Sequence, residues 1–169
     1  MTNEIKDAIY TKRYVYNLHF HLIWCTKYRN KTFTNEKLSN EMKDILQRVA
    51  DDNEIVIEKM EVMPDHVHML ISFPPRKSAV DVIKALKGRS AFLFLQTHPE
   101  IRQKQYWGGH LWSSSYYLGS LGNMSKDVVE RYVNDQKYNA YKKSLSIHIV
   151  YLEIFAYLYN FSIRIRYRA

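Results

Sequence analysis

The chain has 169 residues, 46% of them hydrophobic, enough for one domain with a sizeable core, and no internal repeat divides it. Lys and Arg number 25 against 17 Asp and Glu, a formal charge of +8, which favours a polyanionic partner, with a merely solvated basic face as the alternative. The single Cys25 excludes an internal disulfide framework and a multi-cysteine zinc site. Met1 to Thr11 is polar and mixed in charge, so no signal peptide is expected and the chain reads as cytoplasmic. Fourteen Tyr, seven Phe and three Trp fill a core and leave surfaces on which unpaired bases could stack.

Residues 14–25 alternate as a strand, with Tyr14, Tyr16, Leu18, Phe20, Leu22 and Trp24 on the better core face and His19 and His21 on the other. The loop Lys27-Tyr28-Arg29-Asn30-Lys31 suits phosphate contacts through Lys27 and Arg29. Leu38, Met42, Ile45, Leu46 and Val49 fall at helical spacing within 35–52. A second strand over 54–63 turns through Met63-Pro64-Asp65 into a third as an antiparallel neighbour would. In that third strand Val67, Met69, Ile71 and Phe73 face a core, and His66 and His68 stand together on the opposite face. Two imidazoles so placed can offer two nitrogens to one divalent metal, or stand as a partly exposed pair without a ligand. His19 and His21 join them on one sheet surface if the two strands are neighbours.

Pro74-Pro75 ends the strand, since neither residue donates to a ladder. Ser78 with Asp81 three residues on is a weakened capping box opening a helix from 79 to about 95. Gly88 interrupts that helix, and the close approach of a backbone or ligand is the expected reason. Lys84, Lys87 and Arg89 around it suit a nucleic-acid backbone, or form a solvated face. Residues 98–110 read as loop and Leu111 to Leu121 as a strand. Ser125 then caps a helix over about 126–142 with only a thin apolar stripe. Tyr132 and Gln136, four apart, share one face of it, about 6 Å from each other along the axis.

Pro-Asp-His-Val-His-Met-Leu, Lys-Gly-Arg-Ser-Ala, Leu-Trp-Ser-Ser-Ser-Tyr-Tyr-Leu-Gly-Ser-Leu-Gly-Asn and Arg-Tyr-Val-x-x-Gln follow one another along the chain. In this order they resemble the single-tyrosine transposases of the HUH endonuclease superfamily, the TnpA type, over about residues 14–140; His21 to Arg29 is similar to that family's first strand and basic loop. The resemblance implies an α+β fold, a ferredoxin-like α/β sandwich with helices on one side of an antiparallel sheet and a C-terminal nucleophile helix. It implies Tyr132 as nucleophile and His66, His68 and Gln136 as ligands of a divalent metal. Oxygen ligands suit Mg2+, whereas imidazoles suit Mn2+ or later metals. It further implies a homodimer, with active sites shared between subunits, that binds single-stranded DNA hairpins at the ends of a mobile element. Cleavage would pass through a 5′-phosphotyrosine, and rejoining would excise a circle.

The transposase domain is expected over 12–142, with 143–169 a C-terminal extension. In the extension Ile147, Val150, Tyr151, Ile154, Phe155, Leu158 and Phe161 fit a helical stripe, and Tyr159 to Arg168 then alternates strictly. A dimer element, a DNA-binding arm and readthrough without selected function remain open for it. Its longest apolar stretch, broken by His148 and Glu153, is too short for a membrane span. Two other readings share most of these motifs: a domesticated hairpin-processing relative, and a hairpin-binding module without catalysis. A histidine-triad nucleotide hydrolase is disfavoured, because Leu70 stands where its further histidine is required.

Overall fold

The computed structural model describes residues 8–120. The nucleophile helix expected at 126–142, with Tyr132 and Gln136, and the tail lie outside them. A short hairpin comes first, β1 (Ile9–Tyr10) pairing antiparallel with β2 (Val15–Tyr16). It is followed by β3 (His19–Cys25), α1 (Glu36–Asp52), β4 (Val56–Met63), β5 (His66–Ser72), α2 (Ala79–Thr97), α3 (Pro99–Gln105) and β6 (Tyr117–Ser120). The last four strands named form one antiparallel sheet with order β4-β5-β3-β6. Each crossover helix thus joins two strands that have another between them, a βαββαβ arrangement of the ferredoxin-like kind. The expected fold class is the observed one.

Alternation decides which face of the sheet the helices cover. Leu22, Trp24, Val62, Val67, Met69 and Ile71 share a face and form one buried cluster with Leu46 of α1 and Leu86 and Phe94 of α2. Local chemistry fixes the helix starts. Asn35 accepts the backbone N–H of Lys37 at 2.8 Å, and Ser78 Oγ accepts that of Asp81 at 3.1 Å. The Ser78 hydroxyl donates to the Asp81 carboxylate at 2.6 Å, so this box closes side chain to side chain.

Three sequence expectations need correction. The single strand over 14–25 is two, β2 and β3, and Tyr14 is exposed rather than in the core. Part of the expected loop 98–110 is α3, with Pro99 in its first turn, where a missing N–H costs no hydrogen bond. The strand expected from Leu111 begins only at Tyr117. Its first half bonds elsewhere: the Leu111 carbonyl accepts from Lys27 N–H, and Ser113 N–H donates to the Cys25 carbonyl.

At Gly88 the backbone half of the expectation fails, because a Cβ built there meets nothing within 4 Å. No part of the described protein approaches it closely. Gly88→Ala should therefore stabilise the unliganded protein by about 0.5–1 kcal/mol, through helix propensity alone. Urea unfolding of the two proteins measures this directly.

Candidate metal centre

The register of β3 against β5 sets Cys25 opposite His66 and Ile23 opposite His68, while β4 sets Glu61 on the other side of His68. His21 and His68 meet at Nε2···Nδ1 3.4 Å, so histidines from neighbouring strands do share a surface. That surface is less open than the sequence implied, since His68 is only 4% exposed. His19 lies apart from the pair, with Nδ1 at 2.5 Å from the Glu58 carboxylate.

His66 Nδ1 lies 2.6 Å from Asp65 Oδ1. The other carboxylate oxygen accepts from Arg29 Nε at 3.0 Å and pairs with its terminal nitrogen at 2.9 Å. Arg29 thus grips Asp65, which grips His66. Burial alone would raise the Asp65 carboxyl, but the hydrogen bond and charge of His66 and the charge of Arg29 hold it below its usual value. An ionised carboxylate can only accept, so His66 Nδ1 carries the donated hydrogen. His68 is pushed well below 6.5 by burial, then by His66 and His21, so it is neutral at pH 7. Its Nδ1 faces His21 Nε2, which leaves Nε2 turned away from that contact.

This arrangement fits a metal. The two ring centroids are 4.8 Å apart, and two imidazoles on one cation, at nitrogen–metal distances of about 2.1 Å, would stand about 5 Å apart. His66 Nδ1 is held by a carboxylate, a partner of the kind that orients metal-bound histidines. Among the described residues no three His, Cys, Asp or Glu side chains could together hold a metal ion. A bound ion would need further donors, from water, substrate or residues outside the described range.

The basic residues separate into two groups. Lys84 and Arg89 are exposed on α2, with the Arg89 guanidinium 5.5 Å from the Phe92 ring centre. Lys87 turns inward instead: its ammonium donates to the carbonyls of Ser113, Ser114 and Ser115 at 2.7, 3.3 and 3.0 Å. Burial lowers it to about 8, still protonated at neutral pH. It anchors the segment that leads into β6, a role nothing in its sequence position announced. Lys27 and Arg29 flank Tyr28 in the turn after β3.

His21 carries a pH dependence of its own. Burial lowers its imidazole to about 4, whereas in the unfolded chain it titrates near 6.5. Between these values the unfolded state binds the proton and the folded state does not, so stability falls as pH falls through this window and is full above it. The loss is on the order of 3 kcal/mol. His21→Gln should remove most of that slope in urea unfolding at pH 7 and about pH 4, measured in chelator.

Fold and site together define an α+β sandwich whose histidine cluster lies on the sheet face opposite its two crossover helices. Residues 14–136 match the family described as Transposase IS200 like. The ISDra2 transposase TnpA of Deinococcus radiodurans is 41% identical over 123 residues, covering 73% of this chain and 86% of that one. The transposase of insertion sequence element IS200 from Salmonella typhimurium is 28% identical over 121 residues, covering 72% and 78%. Among solved structures, a putative transposase from Deinococcus radiodurans superposes with TM-score 0.62 at 36% identity, over 76% of this chain and 97% of that one. A REP-associated tyrosine transposase bound to a REP hairpin shares the fold, with TM-score 0.50 at 15% identity, over 77% and 73%. The chain belongs to the IS200-like transposase family.

Proposed function

We propose that this transposase, in a domain spanning residues 12–142, cleaves and rejoins single-stranded DNA through Tyr132, with His66, His68 and Gln136 holding a divalent Mg2+ or Mn2+. The observation that carries the reading is the histidine pair: two imidazoles with ring centroids 4.8 Å apart, about the spacing one cation requires, with His66 Nδ1 engaged by Asp65 and His68 Nδ1 facing His21. Held by His66, His68 and Gln136, such an ion would polarise the scissile phosphate and stabilise its developing negative charge.

The chain's own residues do the rest. Tyr132 Oη attacks phosphorus, the bond to the 3′ oxygen breaks, and that oxygen leaves with a proton as a free 3′-OH. The protein keeps the 5′ phosphate as a tyrosine ester, which conserves the energy of the phosphodiester, so a 3′-OH can later reverse the step without ATP. Asp65 and Arg29 fix the plane of the His66 ring throughout.

The hairpin bound by the structurally similar REP-associated enzyme, together with this chain's net charge of +8, supports single-stranded hairpins as the substrate. The test is incubation with labelled hairpin oligonucleotides bearing single-stranded flanks, in Mg2+ or Mn2+. A covalent protein–DNA adduct and a nicked strand are expected. Binding without either product would favour the non-catalytic hairpin module, and no binding would reject both.

The active site is further proposed to be shared in a homodimer, His66 and His68 of one subunit serving Tyr132 of the other. Mixing a protein lacking both histidines with Tyr132→Phe should then restore cleavage, because one site regains both halves. A silent mixture, with subunit exchange verified, would place both halves in one subunit.

A further inference from the structure

The turn after β3 holds two consecutive non-glycine residues in the left-handed region, Tyr28 at φ 59° and Arg29 at φ 55°. Each such residue costs roughly 1–2 kcal/mol, so the surrounding structure must impose the conformation. It does so from several directions. Thr26 N–H donates to the Asp65 carbonyl at 2.9 Å, Lys27 N–H to the Leu111 carbonyl at 2.8 Å, and Arg29 N–H back to Thr26 at 3.0 Å. The Thr26 hydroxyl reaches the Asn30 carbonyl at 2.8 Å, and the Arg29 side chain closes the turn onto Asp65.

The geometry that delivers Arg29 to Asp65 also throws the Tyr28 ring outward. Tyr28 is 79% exposed, and the Lys27 ammonium sits 5.2 Å from its ring centre. Asparagine or glycine would adopt this backbone with less strain, and a polar loop residue would meet water at lower cost than an aromatic ring. The backbone beneath the ring is therefore held, the ring faces solvent, and the Lys27 ammonium lies beside it. An exposed aromatic face beside a cation is an arrangement that receives a nucleobase while the cation receives a phosphate.

We propose that Tyr28 is a stacking platform for an unpaired base of the DNA strand, next to the Arg29–Asp65–His66 chain of contacts. The inference rests on single-stranded DNA being the substrate and adds a residue that grips the strand through a base. Because every base offers a π face, the contact positions the strand without reading its sequence.

The test separates bases from phosphates. Two labelled strands of about 16 nucleotides, oligo-dT and an abasic strand with the same sugar–phosphate backbone, are titrated with full-length protein in chelator at one salt concentration. Wild type should bind oligo-dT more tightly. Tyr28→Ala should lower the ratio of the two affinities about 5-fold or more while keeping the abasic affinity, which reports an intact fold and basic surface. Tyr28→Phe should retain the ratio, since the ring face is kept. An unchanged ratio in Tyr28→Ala, or equal wild-type affinity for both strands, overturns the platform alone. Wild type binding neither strand overturns the platform as well, and if hairpin oligonucleotides are not bound either, the DNA reading on which it rests falls with it.

Discussion

Tyr132→Phe should abolish the covalent protein–DNA adduct and strand rejoining while leaving hairpin affinity unchanged. The substitution removes one oxygen, the atom that forms the bond to phosphorus, and keeps the ring. Without it only water could attack, and hydrolysis would discard the phosphodiester energy that rejoining needs. Cleavage and rejoining should therefore disappear together. Denaturing electrophoresis of the labelled mixture reports the adduct, and a mobility shift in chelator reports binding. An adduct that persists would move the nucleophile to another tyrosine, of which Tyr138, six positions along the sequence, is the nearest candidate.

The frame of the site was legible because a two-residue period is hard to mistake. Val67, Met69 and Ile71 went to the core as the alternation required, which put His66 and His68 on the other face. Their partners were less legible for a physical reason. The contact between His21 and His68, 47 positions apart in sequence, depends on the register of the two strands that carry them. Alternation placed His21 on the right surface but could not say which histidine it meets. Asp65 stood beside His66 in plain view, yet adjacency does not reveal that its second oxygen holds Arg29. That pairing needs the left-handed turn at Tyr28 and Arg29, and neither residue type announces one.

The same limit explains Lys87. Basic residues on an interrupted helix read as one surface, and Lys84 and Arg89 do lie exposed. Lys87 turns inward because three successive carbonyls converge on it. Those carbonyls converge because Leu111 and Ser113 are tied to the end of β3, which also shortens β6. One irregular segment thus defeated two expectations. Gly119 shows the converse, a glycine with a local reason. A Cβ there would come within 2.6 Å of the Tyr117 hydroxyl, and Tyr117 packs edge-on against His21 with centroids 6.0 Å apart.

Removing both proposed imidazole ligands, His66→Ala with His68→Ala, should leave cleavage undetectable at any Mg2+ or Mn2+ concentration, because one protein oxygen cannot hold the ion in place. Asp65→Ala should be graded instead. Both imidazoles survive, but the His66 ring loses the carboxylate that fixes its tautomer and plane, and such losses weaken metal affinity about 10- to 100-fold. Cleavage by Asp65→Ala should then recover at high metal concentration, while the double histidine variant stays inactive. Gln136→Ala should also be rescued by metal, since water can take the place of one oxygen ligand. Arg29→Ala should shift the metal requirement less than Asp65→Ala, because the carboxylate stays on His66 and only its outer support goes. Cleavage rates across a metal titration distinguish these cases by the concentration giving half-maximal rate. Full wild-type activity in excess chelator would sink the metal reading altogether. An Asp65→Ala curve superimposed on wild type would confine Asp65 to holding the turn.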